Sequence, residues 1–255
     1  LSFSKESSKR SACSLFGFSM VIMLFCIIFL VGDMDKEVKK IGVCLDASMM
    51  TVNSAKALKA DMIVTHHPII FSAQKSFTKG NLAFEAASAG ISVISAHTCL
   101  DCAEGGVNDV LCEILGVENA EGVPAEECKV PMARIGVVAE TSIEEFTNTV
   151  AEKLNTVCRF VKGGKKVKKV AVCGGSAFDF FFEAVNMGAD TYVTGEVKHH
   201  ELLIARDMGI NLVVAGHYET EKPVMNKLQQ LLSDKFHEAE VILLDETNPV
   251  EFAGK

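Results

Sequence analysis

The chain has 255 residues, 49% hydrophobic and 23% charged, enough to bury the core of one large or two ordinary α/β domains. A net charge of −8 argues against broad, sequence-independent nucleic-acid binding, which needs basic surface. Trp is absent and Tyr occurs twice, so stacked-base platforms are not expected, and nine scattered Cys fit a reducing, cytoplasmic setting better than a disulfide framework.

Residues 15–31 (LFGFSMVIMLFCIIFLV) are nearly all apolar and follow Lys5, Lys9 and Arg10. A run of roughly 17 residues sits at the lower limit for a membrane span. It reads as a membrane anchor or a signal-peptide core, with a buried first strand as the competing reading; no small-x-small cleavage site follows it. Membrane contact is expected only through this run.

Beyond it, strands and helices alternate. Lys40 to Leu45 reads as a strand ending at Asp46, and Ser48 to Ala60 as a helix capped by Ser48. Met62 to Val64 is a short buried strand running into His66-His67-Pro68. A helix over Asn81 to Ala89 stops at Gly90, and the strand Ile91 to Ala96 ends at His97. Gly105-Gly106 precedes a helix over Val107 to Leu115, closed by Gly116. Residues 117–130 are acidic, contain Pro124 and read as a boundary. Arg134 to Val138 is a strand and Ser142 to Leu154 a helix; the basic turn 162–169 is a solvated loop. Val167 to Cys173 is a strand meeting Gly174-Gly175-Ser176, followed by a helix from Phe178 to Met187. Strands at Thr191 to Thr194, Asn211 to Ala215 and Val241 to Leu244 alternate with helices at His200 to Met208 and Glu221 to Leu232. The alternation implies parallel βαβ units in two similar three-layer α/β domains. We assign residues 30–127 to the first domain, completed by 240–255, residues 128–239 to the second, and residues 1–29 to a divergent apolar segment.

The histidines are less scattered than the cysteines. His66, His67, His97, His199, His200 and His217 all fall at the ends of apolar runs, where α/β proteins collect ligands. Adjacent side chains on an extended segment point opposite ways, so His66 and His67 are expected to serve two ions rather than one. A second strand end carries His97 and Asp101. A third carries His217 and Glu221, whose four-residue spacing puts both on one face of a helical turn. Nitrogen mixed with carboxylate oxygen suits Zn, Fe, Mn or Ni. Asp101 and Glu221 are the candidates to bridge two ions about 3.5–4 Å apart that activate a water between them.

These segments resemble the NIF-three-like family, whose bacterial members carry the label GTP cyclohydrolase I type 2 homologue. The matching stretches are residues 30–47, ADMIVTHHPIIF (60–71), ISAHTCLDCAEGGVND (94–109), VAVCGGS (170–176), residues 188–221 and the tail ETNPV (246–250). The resemblance implies a dinuclear metal centre in the cleft between two α/β domains, with His66, His67, Asp101, His217 and Glu221 as ligands. It also implies a toroidal homohexamer and a small-molecule substrate, a nucleotide by the family label. The chain departs from the family pattern in three places. The apolar run replaces an initial helix and an Asp-Asn-Val-Gly-Leu segment, Cys99 stands where Asn is common, and Ala177 replaces the last Gly of Gly-Gly-Ser-Gly.

His97 is expected to shuttle a proton or orient a ligand, weighed against a hydrogen-bonded core histidine. Thr194, Glu196 and His199, with His200, are candidates for substrate contact, weighed against helix capping and packing. Cys99-x-x-Cys102 has redox or zinc spacing but lacks a second pair, so incidental buried thiols are expected. Gly174-Gly175-Ser176 is read as a tight turn, with a phosphate cradle as the sharper alternative. The leading functional reading is a metal-dependent hydrolase of a nucleotide or related small molecule. The second is a non-catalytic metal-binding scaffold or a partner of transcription regulators.

Overall fold

The computed structural model describes residues 27–124 and 130–253. In chain order the first elements are β1 (Ile27–Val31), β2 (Lys40–Cys44), α1 (Met49–Ala57), β3 (Met62–Thr65), α2 (Leu82–Ser88), β4 (Ser92–Ala96) and α3 (Thr98–Cys102). Then come α4 (Val107–Leu115), β5 (Glu118–Val123), β6 (Ala133–Thr141), α5 (Ile143–Lys153), β7 (Arg159–Val161) and β8 (Val167–Cys173). A 3-10 turn over Phe178–Phe180 leads to α6 (Phe181–Asn186), β9 (Thr191–Thr194), α7 (His199–Asp207) and β10 (Asn211–Val214). The chain closes with α8 (His217–Glu221), α9 (Val224–Lys235) and β11 (Glu240–Leu243). The architecture is mixed α/β with two sheets.

The described residues form two compact units, 27–100 with Met225–Pro249, and Asp101–Val224 with 250–253. The divisions fall after Leu100 and Val224, where sequence composition placed them after residues 127 and 239. Leu111, Cys112 and Leu115 of α4 pack on the second sheet, which takes α4 into the second unit. The acidic stretch taken for a boundary forms β5, paired antiparallel with β6 at the edge of that sheet.

In the first unit the sheet order is β1-β4-β3-β2-β11. β4, β3, β2 and β11 run parallel, and β1 pairs antiparallel with β4. Every residue of β3 and β4 is buried, Ser92 and Ser95 included, so neither segment shows the apolar–polar alternation of a half-buried strand. Cys44, Ile63 and Val93 face Val52 and Ala55 of α1 and Ala83 and Ala86 of α2. Ser48 starts α1 with a capping box closed by Thr51, and Asn81 caps α2. The last residues of the apolar run form edge strand β1, where Val31 joins this core; residues 15–26 of the run lie outside the described residues. Among the described residues no helix is long and apolar enough to cross a membrane.

In the second unit the order is β5-β6-β8-β9-β10-β7, with only β8, β9 and β10 parallel. Alternate residues face opposite sides. Ala171, Cys173, Tyr192, Leu212 and Val214 pack with Phe181 and Ala184 of α6 and Ala205 of α7. Val170, Val172, Val193 and Val213 pack with α4 and with Ile143, Phe146 and Val150 of α5. This unit is therefore three-layered, and each Val or Ile so buried contributes about 1.5–3 kcal/mol over exposure.

The central strand of each sheet is tied at both ends. At its start, Asp61 accepts hydrogen bonds from the Lys39 and Lys40 amides (3.0 and 3.1 Å) and pairs with Lys36 at 3.0 Å. Asp190 does the same in the second unit, accepting from Lys168 and Lys169. At its end, the Thr65 hydroxyl donates to the Leu45 carbonyl (2.8 Å), and the Thr194 hydroxyl to the Gly175 carbonyl (3.1 Å).

Burial pulls the Asp61 carboxyl upward, but the Lys39 amide, Lys36 and the Lys40 amide outweigh it and hold the group below its ordinary value. A folded pKa below the unfolded one stabilises above the unfolded value and is lost as pH falls through the folded value. Asp61→Asn should therefore lower the urea midpoint at neutral pH, and the gap to wild type should close below about pH 4. A gap that does not change with pH would rule this out.

Candidate functional site

In the first unit the donors gather where β3 ends. His66 and His67 lie past Thr65, the last strand residue, in a bend. The Thr65 hydroxyl also donates to the His67 carbonyl (3.0 Å), and the His67 amide donates to the Leu45 carbonyl (3.0 Å). Because the pair has left the strand, the expected splaying of the two rings does not occur: their centroids are 4.8 Å apart. His97, directly after β4, brings its ring to 5.1 Å from His66 and 5.5 Å from His67. One ligand atom from each of the three lies within 4.8 Å of the others. His66 is fully buried, and its Nδ1–H donates to the Ala96 carbonyl at 2.9 Å, which makes Nε2 the ring nitrogen able to coordinate a cation. His67 Nδ1 sits 2.7 Å from Asp46 Oδ1. The Asp46 amide donates to Glu246 (3.1 Å), as does the Leu45 amide (2.9 and 3.1 Å).

In the second unit the donors are Asp101 on α3 and His217 and Glu221 on α8. His217 Nε2 approaches Glu221 Oε2 to 3.1 Å, and its Nδ1 lies 3.3 Å from Glu196 Oε2. Glu221 is 4% exposed, and a carboxylate oxygen of Asp101 lies within 4.8 Å of one of its own. Two ionised carboxylates so close repel by about 3–4 kcal/mol at an effective dielectric of about 20. A shared proton or a cation removes that cost. Gly175, at φ +67°, makes room: a Cβ there would run into the Glu221 carboxylate and come within 3.2 Å of His217 Nε2. Buried Arg134 holds the end of α3 beside Asp101, donating to the Cys102 (2.9 Å) and Ala103 (3.2 Å) carbonyls while pairing with Asp109 at 2.5 Å. Buried Asn108 bridges the Asp101 carbonyl (3.2 Å) and the Gly174 amide (2.8 Å).

Each unit by itself thus concentrates ligand chemistry that fits a divalent cation, imidazole nitrogens in the first and carboxylates with one imidazole in the second. The other sequence candidates fall differently. Thr194 is buried, with its hydroxyl committed to the Gly175 carbonyl. Glu196 is exposed and turned to His217, and His199 is exposed at the start of α7. The glycine turn is no phosphate cradle: the Gly174 amide donates to Asn108 and the Gly175 amide to Thr220 Oγ1 (3.0 Å), and only a 3-10 turn follows. Cys99 and Cys102 are buried thiols. Burial also pushes the Cys112 thiol up to about 12 and Cys158 to about 11, far from a reactive thiolate.

Sequence reasoning missed the residues that position the donors. Asp46 was visible as a carboxylate directly after a buried strand, but nothing local ties it to His67. The Ala96 carbonyl, Asn108 and Arg134 act through backbone contacts that no residue pattern announces.

A family model described as Duf34/NIF3 (NGG1p interacting factor 3) matches residues 29–249. The GTP cyclohydrolase 1 type 2 homolog of Clostridium perfringens (strain 13 / Type A) is 32% identical over 236 residues, covering 88% of this chain and 89% of that protein. Among solved structures, Staphylococcus aureus protein SA1388 aligns with a TM-score of 0.79 at 26% identity, over 88% of this chain and 91% of that one. The Bacillus cereus protein related to NIF3 aligns at 0.81 and 23% identity over 96% and 99%, a likeness of fold.

Gly175→Ala tests the packing behind Glu221 and His217. It should cost at least about 1 kcal/mol from the positive φ alone and weaken divalent-metal uptake by the intact chain. Wild-type stability together with wild-type uptake, by urea titration and chelator competition, would show that the space is not needed.

Proposed function

The chain belongs to the Duf34/NIF3 family, and from that premise we propose that it is a metal-dependent hydrolase of a nucleotide or related small molecule, built on a dinuclear metal centre. His66, His67, Asp101, His217 and Glu221 are the ligands, and Zn, Fe, Mn or Ni the ions that suit them. Bound ions would supply Lewis acidity and bring the pKa of a water to near neutrality. The observation that carries this reading is that the donors cluster in each unit separately: His66 and His67 beside His97, and Asp101 and His217 around buried Glu221.

The chain's own residues then divide the work. Asp101 and Glu221 would help hold the ions and would offset their positive charge. His97, half-buried beside the His pair, moves a proton between the attacking water and solvent. His199 and Glu196 lie exposed, where a substrate can reach them. The relatives' label points to hydrolytic ring opening of a purine nucleotide as the reaction to try first. A homohexamer working in the cytoplasm completes the proposal. The family description, which speaks of an interacting factor, supports the second reading, a metal-binding scaffold or a partner of transcription regulators.

Elemental analysis and turnover on a nucleotide panel separate these. The purified chain should carry divalent metal, and Asp101→Ala and Glu221→Ala should lose it. His97→Ala should keep the metal and lower turnover by about 10²–10⁴-fold. If Asp101→Ala strips the metal and the cellular role persists, the hydrolase reading is lost; if wild type takes up no divalent ion at micromolar levels, both readings are.

A further inference from the structure

We propose that Asp46 and Glu196 are positioning residues: each carboxylate holds the Nδ1 proton of one histidine, His67 and His217 respectively, and so presents that ring's Nε2 to a divalent cation. The inference rests on the metal reading above and adds to it two residues and a choice of ligating nitrogen.

In each unit a carboxylate faces Nδ1 of one histidine, closely in the first and at a longer distance in the second. A ligating histidine commonly spends its second ring nitrogen on a carbonyl or carboxylate, which sets the tautomer, fixes the ring and strengthens the donor. His66 does this through the Ala96 carbonyl, an acceptor that can only receive a proton, so Nδ1 carries it. His67 does it through a side chain, hydrogen-bonded to Asp46 at 2.7 Å, and His217 has the Glu196 carboxylate at ion-pair distance, 3.3 Å from Nδ1. For His217 the opposite nitrogen, Nε2, already points at Glu221 at 3.1 Å, so Glu196 stands on the far side of the ring from the carboxylate ligand.

The backbone that carries each carboxylate is itself held in place. The Asp46 amide donates to Glu246 (3.1 Å), and its carbonyl accepts from the Thr51 hydroxyl (3.0 Å). The Glu196 amide donates to the Gly175 carbonyl at 2.9 Å. Yet the two side chains are 46% and 60% exposed, where an ion pair adds little to stability. Their effect should therefore fall on metal affinity rather than on folding. Asp46, at the shorter, charge-assisted distance, should matter more.

The test uses the full chain, stripped by chelator and titrated with zinc against a chromophoric competitor, alongside thermal unfolding of the apo form. Asp46→Asn and Glu196→Gln should weaken zinc binding by about 10–100-fold, Asp46→Asn the more, with apo unfolding unchanged. Asp46→Glu and Glu196→Asp should recover part of the loss. Long-range nitrogen–proton spectra of the zinc-loaded wild type should show His67 and His217 protonated at Nδ1 and bound through Nε2. Ligation through Nδ1, or wild-type affinity in both amide variants, overturns this inference and leaves the metal reading intact. A lowered apo melting temperature with unchanged affinity makes the two carboxylates merely structural and also overturns it. A wild type that takes up no zinc overturns the metal reading itself, and this inference with it.

Discussion

Parallel strands buried on both faces must stop somewhere, and where they stop the backbone loses its ladder while still deep in the protein. In both units one hydroxyl resolves this. Thr65 pairs in register with Cys44 and donates to the Leu45 carbonyl; Thr194 pairs in register with Cys173 and donates to the Gly175 carbonyl. The amides that follow, His67 in one unit and Gly195 and Glu196 in the other, donate to the same two carbonyls. The chain is thereby folded back at the strand end, and the next side chains are delivered to one place. Every candidate ligand depends on that reversal or on the equivalent exit from the neighbouring strand.

The two units repeat more than a fold class. Each central strand begins after an aspartate that caps its neighbour's amides and ends at a threonine. Each next strand, β4 or β10, exits into a His-x3-carboxylate segment that runs into a five-residue helix, His97 to Asp101 after β4 and His217 to Glu221 after β10; the division between the units falls within the first of these segments. The units then diverge at the reversal itself. The first places His66-His67 where the second places Gly195-Glu196, and the second puts Gly175 where the first has bulkier chain. One unit has become nitrogen-rich and the other carboxylate-rich on a shared backbone plan.

Much of this was legible in the sequence, for a physical reason. Strands buried on both faces lack the polar alternation of a half-buried strand, so β3, β4, β9 and β10 stand out as short runs rich in apolar and β-branched residues, and a histidine or carboxylate closing such a run is conspicuous. The capped helices were equally readable from Ser48, Ser142 and Gly116. The edges were not. β5 is acidic and mostly exposed, β7 has three residues, and β1 hides inside a longer apolar run. Edge strands owe their place to pairing rather than burial, so composition misleads there. The short helix α3 escapes because five residues cannot show a helical period, and of α8 only the His-x3-Glu spacing of one helical turn was legible. The reversal after Thr65 escapes because the strand's last residue is set by a hydroxyl contact with a carbonyl 20 residues away.

Glu246, which receives the Leu45 and Asp46 amides, stands 201 residues from Leu45 along the chain. The strand beside it, β11, is likewise among the last elements and completes the sheet that begins with the first. The first unit is thus discontinuous, and its donor loop lacks its anchor until Glu246 has been synthesised. The second unit is almost continuous and can condense earlier on the ribosome. The connectivity therefore lets the carboxylate-rich unit form before the histidine-rich one, whose donor loop waits for Glu246. Closing so long a loop adds little to the equilibrium cost, since that entropy grows only logarithmically, but it delays the search.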